Sequence, residues 1–410
     1  MIPEFLAGGA AAQLAGRFGT PVFLYEAETL RRTYRRVRDA FRHQPTRIHF
    51  AAVCNPNLAL LRILREEGAG LHANTPGDVY CGLRAGFSAQ DIVFSGSNLG
   101  EDDLRFLGGA GVAVNVDSLD DLERACRLHP GRGFGMRLHF PDAMPESRIG
   151  IRPDEIPRAV SLARAKDCRI EALHVYCGTH GVGAKRFEGP LARLAELAVE
   201  LPAVTCINLG GGFAYDYEKP DEAFPFGELA EAAAAMLANV QARRGGAPLQ
   251  LRVEPGRALV AGAGVLLTRV RSVKVADGRR YVGTDTTVAN LTSQPVHGSH
   301  RRVAVVAEGE PHPLPADVCG CTTYSRDVIA RAAPLPEVKV GDLLAVLDAG
   351  AYGYCMASHF LNRPKPPEVV IDRGTVRLVT RRESFEDLVD RQVDPEGPTD
   401  VSTGARTGGL

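Results

Sequence analysis

From Arg47 to Val253 the chain keeps one beat, and that beat limits it to very few folds. Short apolar runs at 47–53, 71–73, 92–95, 112–116, 133–140, 170–176, 204–209 and 249–253 read as strands. Stretches with helical spacing lie between them, at 58–67, 76–85, 101–109, 119–128, 154–166, 187–200 and 226–244. Strands separated by helices pair in parallel, because a parallel neighbour needs a crossover long enough to hold a helix. The rhythm favours a (β/α)8 TIM barrel over 29–260, although an open sheet shares it. A strand at 21–25 and a helix at 26–41 precede the beat.

Past Gly256 the beat stops. Strand-like runs follow at 265–275, 302–307, 343–347, 369–372 and 375–379, with few helices between them. These predict a second, mostly β domain over 261–390, to which 1–28 is assigned through its strand. The Gly-, Thr- and Pro-rich stretch 391–410 reads as a disordered tail.

The net charge of −1 offers no field for nucleic acid or an acidic membrane surface. No run of eighteen apolar residues predicts a transmembrane helix, and no signal peptide is expected at Met1–Phe5. Nine scattered cysteines without CxxC spacing fit a reduced, cytoplasmic chain. Neither the cysteines nor the histidines, His174 and His180 among them, form a recognised metal-ligand spacing, and no metal is expected.

The strand at 204–209 feeds three consecutive glycines, Gly210, Gly211 and Gly212. Glycines directly after a strand let backbone N–H groups approach an anion with no Cβ in the way, although ordinary turns also use them. Some forty residues later comes Glu254-Pro255-Gly256-Arg257, which adds a cation and a carboxylate at the end of the next strand.

These motifs, in this order, resemble the pyridoxal-phosphate enzymes of the alanine-racemase fold type, specifically the diaminopimelate, ornithine and arginine-type decarboxylases. The matching stretches are Phe50–Asn57, Ser147–Ile151, His174–His180, Asn208–Phe213, Glu254–Arg257 and Leu347–Gly353. The resemblance implies that Gly210, Gly211, Gly212, Arg257 and Tyr352 hold a cofactor phosphate, with Gly256 also part of the cofactor site. It implies that Glu254 faces the pyridine nitrogen, keeping the ring an electron sink. It also implies a head-to-tail homodimer acting on an amino acid or amine, each site completed by Thr323, Tyr324 and Asp327 of the other copy.

The departures from the family pattern bear on chemistry. The family's covalent lysine corresponds to Val53, which cannot form an imine or carry a proton. None of the six lysines lies within a hundred residues of it in sequence. Tyr176 replaces the histidine that stacks on the ring and can still stack. Thr323 and Tyr324 stand where the family has cysteine and glutamate, and Gln294-Pro295 replaces an arginine-proline pair. The reading is therefore an enzyme with pyridoxal or pyridoxamine 5′-phosphate held non-covalently and altered chemistry. Two alternatives stay open: a non-catalytic homologue that binds a phosphorylated ligand or regulates a partner, and a barrel repurposed for metal or haem chemistry. Cys54 reads as a buried residue at a strand end and Lys185 as a solvated loop lysine.

Overall fold

A computed structural model describes residues 2–393 except 42–44, 143–146, 179–182, 221, 223, 293–300 and 308. The expected tail from 394 onward therefore lies outside the described residues, as do His180, Gln294 and Pro295. In chain order the elements begin with α1 (Ala10–Phe18), β1 (Val22–Glu26) and α2 (Ala27–Ala40). Then come β2 (Thr46–Ala51), α3 (Leu58–Glu66), β3 (Gly70–Ala73), α4 (Pro76–Ala85), β4 (Ile92–Ser95) and α5 (Glu101–Ala110). They continue with β5 (Ala113–Val116), α6 (Leu119–Leu128), β6 (Gly133–Leu138), α7 (Ile156–Ala165), β7 (Arg169–Val175) and α8 (Glu188–Glu200). The alternation closes with β8 (Cys206–Asn208), α9 (Phe226–Arg243), β9 (Gln250–Val253) and the short α10 (Arg257–Val260).

Strands β2 to β9 form a closed parallel barrel. Closure is made by β9 against β2, with Thr46 opposite Leu251 and Ile48 opposite Val253. This decides between the barrel and the open sheet. Helix starts follow from local chemistry. Thr75 accepts the Asp78 N–H at 3.1 Å while Asp78 reaches back to the Thr75 N–H at 3.2 Å, a reciprocal cap for α4. Ser118 caps α6 and Asn57 caps α3 in the same one-sided way.

The rest is a mostly β unit: β10 (Gly264–Ala276), β11 (Arg279–Thr284), β12 (Val303–Val305), β13 (Ala316–Cys319), β14 (Val328–Ala333), β15 (Leu343–Val346), β16 (Glu368–Asp372) and β17 (Thr375–Thr380). They join β1 in a nine-stranded sheet, ordered β14-β13-β11-β10-β1-β16-β17 with β15 and β12 branching from β10. The sheet thus draws on both chain ends: β1 pairs antiparallel with β10 and parallel with β16. Besides the one-turn α10, four elements had no counterpart in the sequence reading. Helix α1 is alanine-rich and preceded by Gly8-Gly9, so its propensity signal is broken at the start; Leu14 and Ala15 nevertheless bury against β1 and β10. Strand β11 follows β10 directly through Asp277-Gly278. Strands β13 and β14 are short and their pairing register shifts, which erases a clean period of two.

A buried carboxylate fastens the two units. Glu368 of β16 accepts from Tyr25 Oη at 2.8 Å, Asn57 Nδ2 at 2.9 Å and Thr380 Oγ1 at 2.5 Å. Burial nonetheless pushes its carboxyl above the ordinary value. Because the folded state then binds the proton more tightly, this group's contribution to stability is present at acid pH and lost as pH rises through the raised value. Glu368→Ala is expected to cost about 3 kcal/mol, since buried Tyr25 and half-buried Asn57 and Thr380 lose a shared acceptor. Glu368→Gln should cost less and flatten that part of the pH dependence. Denaturant midpoints across pH check both.

Candidate functional site

The barrel strands end on one side, and the residues just beyond them meet there around a pocket of about 260 Å³. Ala51, Val53 and Cys54 come from the end of β2, His72 and Asn74 from β3, and Arg137 from β6. His174 and Tyr176 come from β7, Gly211, Gly212 and Phe213 follow β8, and Glu254, Gly256 and Arg257 follow β9. Tyr352 and Ile149 complete the wall. In this architecture the ends of several strands supply a site while the packed barrel interior supports it.

Glu254 is 2% exposed. Its Oε1 accepts from Asn208 Nδ2 at 2.7 Å, and its Oε2 meets His174 Nε2 at 3.3 Å. His72 Nε2 lies 3.4 Å from the same Oε2. Burial alone would push the carboxyl up; the charges of His72 and His174 and the hydrogen bonds from His174 and Asn208 outweigh it and hold the group below the usual carboxylate range. Burial holds His72 below its own ordinary value, so the hydrogen bonds are the lasting part of this stabilisation near neutral pH.

The glycines divide their work. Gly210 makes the turn rather than the pocket wall: its φ is +62°, its N–H donates to Asn208 Oδ1 at 2.9 Å, and its carbonyl accepts the Glu254 N–H at 2.8 Å. Gly211 and Gly212 line the pocket, and a Cβ on Gly211 would lie 2.8 Å from the Glu254 carbonyl oxygen. A Cβ on Gly256 would strike Cys54 Sγ and come within 3.0 Å of Ala51 Cβ, so this glycine lets the ends of β9 and β2 meet. The Arg257 guanidinium sits 5.0 Å from the Tyr352 ring centre, and its buried Nε has no hydrogen-bond partner among the described residues. Tyr352 holds a left-handed φ of +54° and donates its N–H to the Cys54 carbonyl at 2.9 Å.

Strand β2 stops at Ala51, earlier than its sequence suggests, and 52–54 form a tight turn. The turn places Val53 in the pocket wall, 43% exposed. Cys54 is buried, and burial pushes its thiol up to about 11, against nucleophilic use. Tyr176 lies 5.7 Å, ring centre to Cζ, from Arg137. Lys185 is exposed and outside the pocket lining. Among the described residues, no group of three or more His, Cys, Asp or Glu is placed to hold a metal ion.

Thr323, Tyr324 and Asp327 do not line this pocket of their own chain. They lie between β13 and β14, with Thr323 and Tyr324 exposed. Asp327 is buried and its carboxylate is taken up within its own chain: Oδ1 accepts the N–H of Val288, in the segment after β11, at 2.8 Å, and Oδ2 accepts the Thr322 N–H at 3.0 Å and the Thr322 hydroxyl at 2.5 Å. Conversely, His72, Arg137 and Asn208 belong to the site and were not singled out from sequence. Their signal was a polar residue inside an otherwise apolar barrel strand.

The pocket fits a pyridoxal-type cofactor on two counts of its own geometry. It has an orphaned buried guanidinium nitrogen beside glycines that leave room for a phosphate, and a carboxylate held ionised for a ring nitrogen.

Comparison with known proteins agrees. Residues 27–261 match the family described as "Pyridoxal-dependent decarboxylase, pyridoxal binding domain". The chain is 32% identical to the diaminopimelate decarboxylase of Methanothermobacter thermautotrophicus, over 96% of each chain. It is 30% identical to that of Escherichia coli, over 92% of this chain and 94% of the relative. The crystal structure of diaminopimelate decarboxylase from M. jannaschii is similar with a TM-score of 0.88 and 25% identity, over 94% of each chain. A lysine/ornithine decarboxylase from Vibrio vulnificus shares the fold with a TM-score of 0.78 at 22% identity.

The burial of Cys54 has a direct check. Alkylation of the native chain at about pH 8, read by peptide mass spectrometry, should label exposed Cys321 well before Cys54. Labelling of Cys54 at the faster rate would mean that the turn at 52–54 opens readily or that the thiol is activated.

Proposed function

The chain belongs to the pyridoxal-dependent decarboxylase family, and from that premise we propose that it binds pyridoxal or pyridoxamine 5′-phosphate at the barrel mouth without a lysine link. There it would act on an amino acid or amine, by chemistry altered from that of its diaminopimelate decarboxylase relatives. The observation that carries the reading is the pairing of an ionised Glu254 with Arg257 across one pocket whose β2 end carries Val53. An anion alone would be repelled by Glu254; a ligand with a phosphate at one end and a cationic ring nitrogen at the other satisfies both groups.

Bound there, the cofactor supplies an electron-poor ring that stabilises negative charge on a substrate carbon. Arg257 and the N–H groups of Gly211 and Gly212 would hold its phosphate, a charge-assisted contact set. Glu254, positioned by Asn208 and His174, would keep the ring nitrogen protonated. Tyr176 would offer its ring face. Val53 fills wall volume and moves no proton, so proton transfers fall to other residues of the pocket.

The reading of a non-catalytic homologue draws on two observations: Val53 itself, and an Asp327 whose carboxylate is taken up within its own chain by Thr322 and Val288. The two readings part on whether the loaded protein turns over any amino acid.

Two outcomes test the proposal. With pyridoxal 5′-phosphate and borohydride, the natural chain should acquire no covalent adduct, while Val53→Lys should acquire one at residue 53, located by mass spectrometry. An adduct on a native lysine such as Lys185 would contradict the assignment of Val53, and no adduct in the variant would mean that the pocket was not built for this cofactor. The family's partner-completed site also predicts a homodimer, with Thr323, Tyr324 and Asp327 facing the other copy's barrel mouth. Sedimentation at micromolar concentration should give a dimer mass, and a monomer would remove that part of the reading.

A further inference from the structure

We infer that His72 is the proton-exchanging residue of this site: it gives up a proton when a cationic ring docks on Glu254 and takes one back when the ring leaves. The inference rests on the proposed cofactor reading and adds to it a residue outside the family motifs quoted above.

His72 sits at the end of β3, in a strand that is otherwise apolar, and lines the pocket at 7% exposure. Among the described residues, neither of its ring nitrogens has a hydrogen-bond partner. Its Nε2 is near Glu254 Oε2, at 3.4 Å, without the alignment of a hydrogen bond. His174 differs, since its Nε2 is bonded to that oxygen at 3.3 Å. A carboxylate offers about four lone-pair directions. Asn208 takes one on Oε1 and His174 one on Oε2. His72 sits by the remaining site on Oε2, which leaves one on Oε1 for an incoming ring N–H. Geometry therefore admits both neighbours, but charge does not. One carboxylate cannot neutralise a histidinium and a pyridinium together in a buried site.

The other groups facing His72 set the balance. Burial opposes its charge most strongly, Glu254 and Asp78 favour it, and His174 and Arg137 oppose it. His49, also buried and close to Glu254, is held near 3 by burial and by Arg252 and does not compete for a proton near neutrality. Of the other pocket-lining groups, Val53 carries no proton and Cys54 keeps its own up to about 11. The sign follows. A docked ring cation lowers the proton affinity of His72, so binding releases a proton wherever the empty site holds His72 charged. Affinity is then unaffected above the histidine range and falls as pH drops through the titration of His72, by up to about tenfold per pH unit.

The test is calorimetric titration of pyridoxal 5′-phosphate into the full chain and into His72→Asn, from about pH 5 to 8, in buffers of different ionisation enthalpy. The ligand's own titrations are common to both proteins and cancel in the difference. The natural chain should release more protons on binding than His72→Asn at the acid end, and its affinity should fall more steeply with acidification. His72→Gln should repeat the result if His72→Asn does not fold. Equal proton release and equal slopes in the natural and His72-substituted proteins, with binding intact, would overturn the inference alone. Absence of binding to the natural chain at every pH would overturn the cofactor reading and this inference with it.

Discussion

A carboxylate buried at the mouth of a barrel must be answered by donors, and the answer to Glu254 organises this site. Asn208 on β8 and His174 on β7 reach it from the two strands that precede β9. Its own backbone N–H binds the Gly210 carbonyl, so the glycine turn and the carboxylate are fixed to one another. The turn then presents Gly211 and Gly212 beside Arg257, three residues beyond Glu254. Negative and positive ends of the pocket are thus held at a set separation by backbone geometry. In the proposed function, that separation suits a ligand carrying both charges rather than a simple anion.

In the proposed reading, the chain keeps around this arrangement the elements that bind and changes those that react. Val53 stands on a turn that faces the pocket, where a longer side chain would enter it. Cys54 beside it is packed under Gly256 and tied by its carbonyl to Tyr352. Asp327 spends one oxygen on its own loop and the other on Val288 in the segment after β11. The consequence is a cup with few groups free to exchange protons, which directs attention to the histidines at the foot of Glu254.

The barrel was readable because its signal is repetitive. Eight apolar runs at regular spacing outweigh the uncertainty in any one, although a residue at an end, such as Val53, falls outside its strand. The closure between β9 and β2 was not readable, since it depends on a pairing some two hundred residues apart. In the β unit, β10 and β16 announced themselves through β-branched residues, whereas β13 and β14 were hidden by their register shifts. The glycine triplet and Glu254-Pro255-Gly256-Arg257 stood out as local motifs, yet the turn-making role of Gly210 needed the structure. His72 and Arg137 each look like a lone polar residue in a strand. Only the common direction of parallel strands brings them to the same mouth.

The central claim is that this mouth binds pyridoxal 5′-phosphate reversibly through its charged ends. Equilibrium titration of the purified chain with that compound, beside Arg257→Ala, tests it most directly. The account predicts saturable binding to the natural chain and affinity roughly 10- to 150-fold weaker in the variant, the worth of about 1.5–3 kcal/mol for a charge-assisted contact. Equal affinity in the two proteins, or no saturable binding to the natural chain, would contradict it.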